Sequence, residues 1–120
     1  MRYLGFAALA GCALVAAPVQ AQMYEKITIV NSTGYTINEI YVSPVATDDW
    51  EEDVLHRNVL ENGEEFEVDF RRADNTCRWD LKVTYDDGEE VYWRRLNLCE
   101  NWHFELFYNN RTGETTLDAE

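Results

Sequence analysis

The residues best suited to chemistry in this sequence are acidic and come in two crowds. Asp48, Asp49, Glu51, Glu52 and Asp53 form one; Asp86, Asp87, Glu89 and Glu90 form the other. Hard cations such as Ca2+ want several oxygen ligands from flexible loops. If the two segments met at one end of a domain, Asp48, Asp49, Glu52, Asp53, Asp86 and Asp87 could hold such an ion. Neither segment has EF-hand spacing, so solvated turns are the competing expectation. Glycosidase-type hydrolysis needs two carboxylates facing a cleft, one of them with a raised pKa. Abundant carboxylates alone do not single out such a pair. Nucleophilic catalysis needs a Ser, Thr or Cys beside a positioned base. The two histidines offer little: His56 follows an irregular stretch and His103 falls on the outward phase of a strand. Both read as surface residues.

The chain opens MRYLGFAALAGCALVAAPVQAQ. Arg2 supplies a positive n-region, Leu4 to Ala17 is apolar and uncharged, and Val19-Gln20-Ala21 fits a leader-peptidase site. That layout is a secretory signal. The apolar run is shorter than the roughly 20 residues a spanning helix needs. Cleavage is expected after Ala21, leaving one domain over 22–120 in the periplasm or outside the cell. Leu9-Ala10-Gly11-Cys12 also matches the box before a lipidated cysteine, but very little leader precedes Cys12. Simple export is the preferred reading over a lipid anchor.

Beyond the leader two cysteines remain, Cys77 and Cys99. In an exported domain of this size they read as one disulfide. Two thiols without nearby histidines are too few for zinc, and once oxidised they leave no thiolate nucleophile. The chain carries 23 acidic against 10 basic residues, a formal net charge of −13. Nucleic acid and anionic membranes are repelled by such a charge; cations and basic proteins are admissible.

The elements that position these groups are strands, because apolar residues alternate with polar ones between turn residues. Residues 24–30 and 35–43 read as the first two strands, with a bulge near Asn38-Glu39 where the apolar phase shifts. Pro44 stops the second. Residues 47–56 read as a loop or short helix, with Thr47-Asp48 as a cap and Trp50, Val54 and Leu55 as its anchors. Phe66, Val68 and Phe70 mark a third strand after the Asn62-Gly63 turn. Cys77, Trp79, Leu81, Val83 and Tyr85 share one face of the clearest strand. Asp86-Asp87-Gly88 then makes a hairpin loop. In that hairpin Val83 opposes Val91 and Leu81 opposes Trp93. Cys99 falls two residues out of register with Cys77, so the disulfide needs an irregularity near Arg94-Arg95 or a bend at the strand end. Trp102, Phe104, Leu106 and Tyr108 mark another strand, and 114–117 a last short one. Six or seven strands with this patterning predict an all-β antiparallel β-sandwich, immunoglobulin-like in general architecture only. Tyr41, Tyr92 and Phe107 fall on the less buried phase of their strands, as do Arg94 and Arg95. Aromatics and arginines together suit a protein-contact face.

Two blocks of residues carry a resemblance. Asn31 to Gly34, Tyr41-Val42-Ser43-Pro44, Asp48-Asp49-Trp50 and Asp53-Val54-Leu55 form one. Thr76-Cys77-Arg78-Trp79-Asp80-Leu81, Tyr85-Asp86-Asp87-Gly88 and Leu96-Asn97-Leu98-Cys99 form the other. Together they resemble a family of small exported bacterial domains with no established biochemical role. Such chains sometimes carry the name argininosuccinate lyase, a chemistry of long helical enzymes that nothing here resembles. The resemblance implies export, the β fold and the Cys77–Cys99 pair, and it brings no catalytic residues. The expected function is a non-enzymatic interaction module, with a calcium-stabilised domain and a small hydrolase as the alternatives.

Overall fold

The computed structural model describes residues 23–45, 50, 52–70 and 76–120. The leader, Cys12, the Thr47-Asp48 cap, Asp49 and Glu51 lie outside the described residues. Seven strands form: β1 (Lys26–Asn31), β2 (Ile37–Pro44), β3 (Glu65–Asp69), β4 (Arg78–Tyr85), β5 (Glu90–Asn97), β6 (His103–Asn109) and β7 (Glu114–Ala119). They make a four-stranded sheet, β3-β1-β6-β7, and a three-stranded sheet, β2-β4-β5. The alternating side chains of both sheets meet between the layers. Ile27 and Ile29 of β1 and Phe104 and Leu106 of β6 are buried there, with Ile40 of β2, Leu81 and Val83 of β4 and Trp93 of β5. This is the expected β-sandwich. No described helix is long and apolar enough to cross a membrane.

Two features depart from the expected arrangement. The sheets are mostly antiparallel, but β1 pairs with β6 in parallel, Ile29 facing Phe104. Parallel neighbours need a long crossover; here the chain between them passes through the whole second sheet. The strand order also differs from the immunoglobulin one. Constant-type domains order their strands ABED and CFG, which differs from 3-1-6-7 and 2-4-5. The likeness is one of layers.

The stretch after Pro44 also differs from the sequence reading. No helix forms among its described residues, because their polar groups are spent on the edge of β2. The Asp53 carboxylate oxygen Oδ1 accepts the N–H of Ile40 (2.8 Å) and of Leu55 (3.0 Å). The Val54 N–H donates to Ile40 O, and Leu60 and Ile37 exchange both backbone bonds. Leu55 drops into the core while Trp50 does not join it. The opposite side of the sandwich closes through side chains. Trp93 Nε1 donates to Thr116 O, and Thr115 Oγ1 donates to Tyr92 O, each at 2.8 Å. These bonds occupy one carbonyl of edge strand β5 and one of edge strand β7.

The end of β1 is held by a buried amide. Asn31 is fully enclosed. Its Nδ2 donates to Tyr35 O and Leu60 O, and its Oδ1 accepts from the Thr33 N–H and hydroxyl. One side chain thus shapes the 31–34 turn and ties it to the residue 60 segment. Gly34, at φ +89°, occupies the left-handed position of that turn, which only glycine enters without steric cost.

Candidate functional site

The outer face of β2-β4-β5 gathers most of the residues of interest. Alternation along β4 turns Leu81, Val83 and Tyr85 inward, leaving Arg78, Asp80, Lys82 and Thr84 on the other face. Register then aligns neighbours in rows. Glu39, Thr84 and Glu90 form one row; Tyr41, Lys82 and Tyr92 form the next. Ser43 faces Asp80 beyond them, and Arg78 faces Asn97 last. The face therefore runs from acidic through aromatic to cationic.

The central row is locked by rings and cations. Lys82 Nζ lies 4.7 Å from the Tyr41 ring centroid and 5.2 Å from that of Trp50. Trp50 meets Tyr92 at 6.0 Å between centroids. The Arg94 guanidinium carbon stands 4.5 Å from the Tyr92 ring. Each such cation–π contact contributes about 0.5–1 kcal/mol at an exposed site. The Tyr41 phenol is held above the ordinary tyrosine value, by desolvation first, then by the neighbouring Glu39 carboxylate and the charges of Asp53 and Glu90. It stays a neutral hydroxyl.

The third row carries a bulge. From Thr84↔Glu90 to Leu81↔Trp93 the hairpin runs in the expected register, but Trp79 then faces Leu96. Arg94 and Arg95 thus stand opposite Asp80 alone. The extra residue lets Trp93 and Leu96 both turn inward, although three positions separate them. Arg95 absorbs the distortion at φ +61°. Asp80, only 8% exposed, clamps it: Oδ1 accepts the Arg95 N–H at 3.0 Å and Oδ2 accepts Arg94 Nη1 at 3.1 Å. The bulge removes one of the two residues separating Cys77 from Cys99 in register. The turn after β5 supplies the rest, its Asn97 Oδ1 accepting the N–H groups of Cys99 and Glu100. The Cys77–Cys99 disulfide is formed, with Cα atoms 5.1 Å apart.

Tyr41, Tyr92, Arg94 and Arg95 therefore do gather, while Phe107 does not. It lies on β6, in the other sheet, half-buried opposite Thr116. The sequence reading missed Trp50, Lys82, Arg78 and Asp80. The Lys82–Tyr92 pairing was available from the hairpin register; Trp50 lacked a signal, since its spacing to Val54 and Leu55 suggested a helix.

Among the described residues the acidic candidates do not assemble. Asp53 is tied to Ile40 and Leu55, and Asp87 Oδ1 accepts the Glu89 N–H at 2.9 Å. The Asp86 N–H reaches Thr36 O, ahead of β2, whereas Asp53 sits against the middle of that strand. Asp53 thus serves the edge of β2 and Asp87 its own turn. Among the described residues no group of three or more His, Cys, Asp or Glu is placed to hold a metal; Glu52 is exposed, and Asp48 and Asp49 lie outside them. Neither histidine is hydrogen-bonded to a hydroxyl among the described residues. His56 is exposed in a turn at φ +60°, and the His103 ring meets Trp102 edge-on at 5.3 Å. The Ser32 hydroxyl donates directly to Glu105 Oε2 at 2.6 Å, with no imidazole between them.

No family model and no curated protein matches the sequence. A solved NMR structure of a protein from Eubacterium rectale shares the fold. Its TM-score is 0.57 at 15% identity, over 88% of this chain and 94% of that one.

Proposed function

We propose that this chain is an exported, non-enzymatic interaction domain that binds a partner through the outer face of β2-β4-β5. The observation that carries this is the continuous array Tyr41–Lys82–Trp50–Tyr92–Arg94 on one sheet face. Aromatics and arginine are the side chains enriched where proteins meet, and those that lose little freedom on binding contribute most. The rings and cations here are already fixed against one another, so little ordering remains to oppose association. Export is supported by the leader layout of residues 1–21 and by a disulfide, which persists in oxidising compartments.

Site-specific photocrosslinking tests the reading. A benzophenone side chain replaces Tyr92 or, as control, Phe107 on the other sheet, in protein exported by a bacterial host. A discrete adduct from position 92, absent from position 107, is expected. No adduct at 92, or equal adducts at both, ends the proposal.

A further inference from the structure

Three guanidinium groups stand at the end of this face. Arg78, Arg94 and Arg95 are all exposed, and with Lys82 they make four of the ten basic residues in a chain of net charge −13. Their grouping follows from the bulge, which keeps Arg95 out of the core beside Arg94. Arg78 lies in the adjacent row and its Nη1 reaches Arg95 O at 3.5 Å. Asp80 balances one charge only. Arg94 gives it a single N–H, whereas a guanidinium has five donors in a planar fork suited to carboxylates.

We propose that Arg78, Arg94 and Arg95 form a carboxylate-recognition site for an extended acidic segment of a protein partner; this rests on the reading of the face as a contact surface. Arg78 and the bulge arginines occupy neighbouring rows on one face, about 6.7 Å apart along the strands. Alternate side chains of an extended peptide repeat at the same interval, so a segment with acids at every second position matches them. The same segment running toward Tyr92 and Tyr41 meets ring edges, because Arg94 and Lys82 already cover ring faces. That occupancy disfavours stacking of a sugar ring. Long polyanions meet the acidic remainder of the domain and are repelled. A short segment meets mainly the patch, since charges beyond about 8 Å are screened at physiological salt.

The test titrates two peptides into the exported, oxidised, 15N-labelled protein. Both have a Thr/Val host; one carries Glu at three alternate positions and the other Gln. The Glu peptide is expected to shift the amides of Arg94, Arg95 and Asn97 saturably, and the Gln peptide is not. Joint Arg78→Gln and Arg95→Gln replacement, which leaves the Asp80 clamp in place, is expected to weaken binding about tenfold or more. Equal shifts with the Gln peptide, shifts elsewhere, or undiminished binding by the double variant overturn the proposal. So does equal competition by inorganic phosphate or by phosphatidylglycerol vesicles. If crosslinks form at position 92 but the Glu peptide does not bind, the contact face stands and the carboxylate assignment falls.

Discussion

Asp80 shows how much one side chain can set. Its two oxygens hold a backbone N–H and a guanidinium at a place where the hairpin gains a residue. Asp80→Ala removes both acceptors and leaves the buried side of the bulge unpaired, a loss of about 2–3 kcal/mol in urea unfolding. Asp80→Asn retains an acceptor for Arg95 and is expected to cost about 1 kcal/mol. Equal losses from both substitutions would show that the bond to the Arg95 N–H does not clamp the bulge. Tyr85 is the counter-example, a polar group the core tolerates rather than uses. Its hydroxyl is enclosed, and Thr33 lies near without meeting hydrogen-bond geometry. Burial pushes its phenol well above the ordinary tyrosine value, and the Glu89 bond raises that of Tyr108. For groups raised in the folded state, the neutral form is favoured by folding. Their contribution is complete below the unfolded value of about 10 and is lost as pH rises from there through the folded values. Alkaline titration of stability is therefore expected to fall above about pH 10. Tyr85→Phe should leave neutral-pH stability unchanged or higher by up to about 1 kcal/mol and make the alkaline fall shallower. A fall of unchanged steepness in the variant contradicts this.

At the scale of elements, the β4–β5 hairpin carries the crosslink and most of the site. The disulfide joins residues 22 apart, and closing a loop of that size contributes about 3 kcal/mol in the chain-entropy account. Joint Cys77→Ala and Cys99→Ala replacement is expected to lower the urea midpoint accordingly, with β4–β5 cross-strand contacts retained in NMR because Leu81, Val83, Val91 and Trp93 still pack. Loss of those contacts would mean that the crosslink, and not the bulge, sets the register. This hairpin was also the most legible part of the sequence. The two-residue rhythm from Cys77 to Tyr85 and the Asp-Asp-Gly loop fix both face and register locally. The phase shift at Asn38-Glu39 announced the irregularity found between Ile37 and Glu39. What stayed hidden is non-local. Nothing near Ile29 specifies Phe104 as its parallel neighbour, since that choice depends on how the completed sheets stack. The position of Trp50 was hidden for a related reason: its spacing to Val54 and Leu55 fits one helix face, whereas Leu55 is buried in the core and Trp50 lies against Lys82 and Tyr92 across the chain.

The whole molecule is acidic, and its charge is unevenly spent. Glu61, Glu64, Glu65 and Glu67 are exposed at and before β3, whereas four of the seven described basic residues, Arg78, Lys82, Arg94 and Arg95, lie on the outer face of β2-β4-β5. Removing the first 21 residues takes away Arg2 alone among charged groups, so the net charge becomes −14. Like charges repel more strongly in the compact state than in the unfolded chain. Raising salt from about 10 mM to about 150 mM shortens the screening length from about 30 Å to about 8 Å. Stability is therefore expected to rise by about 1 kcal/mol, or about 4–8 °C in Tm for a domain of this length. Calcium and magnesium chloride compared at equal ionic strength separate this general screening from a specific site. Asp53 and Asp87 each have one carboxylate oxygen engaged by backbone N–H groups, which leaves one oxygen apiece for a cation, fewer than the roughly six to eight that Ca2+ takes. The two salts are thus expected to raise Tm equally. A calcium increment of several degrees over magnesium, abolished by Asp53→Asn, would show that the acidic segments do converge on an ion, with Asp48 and Asp49 the first ligands to test.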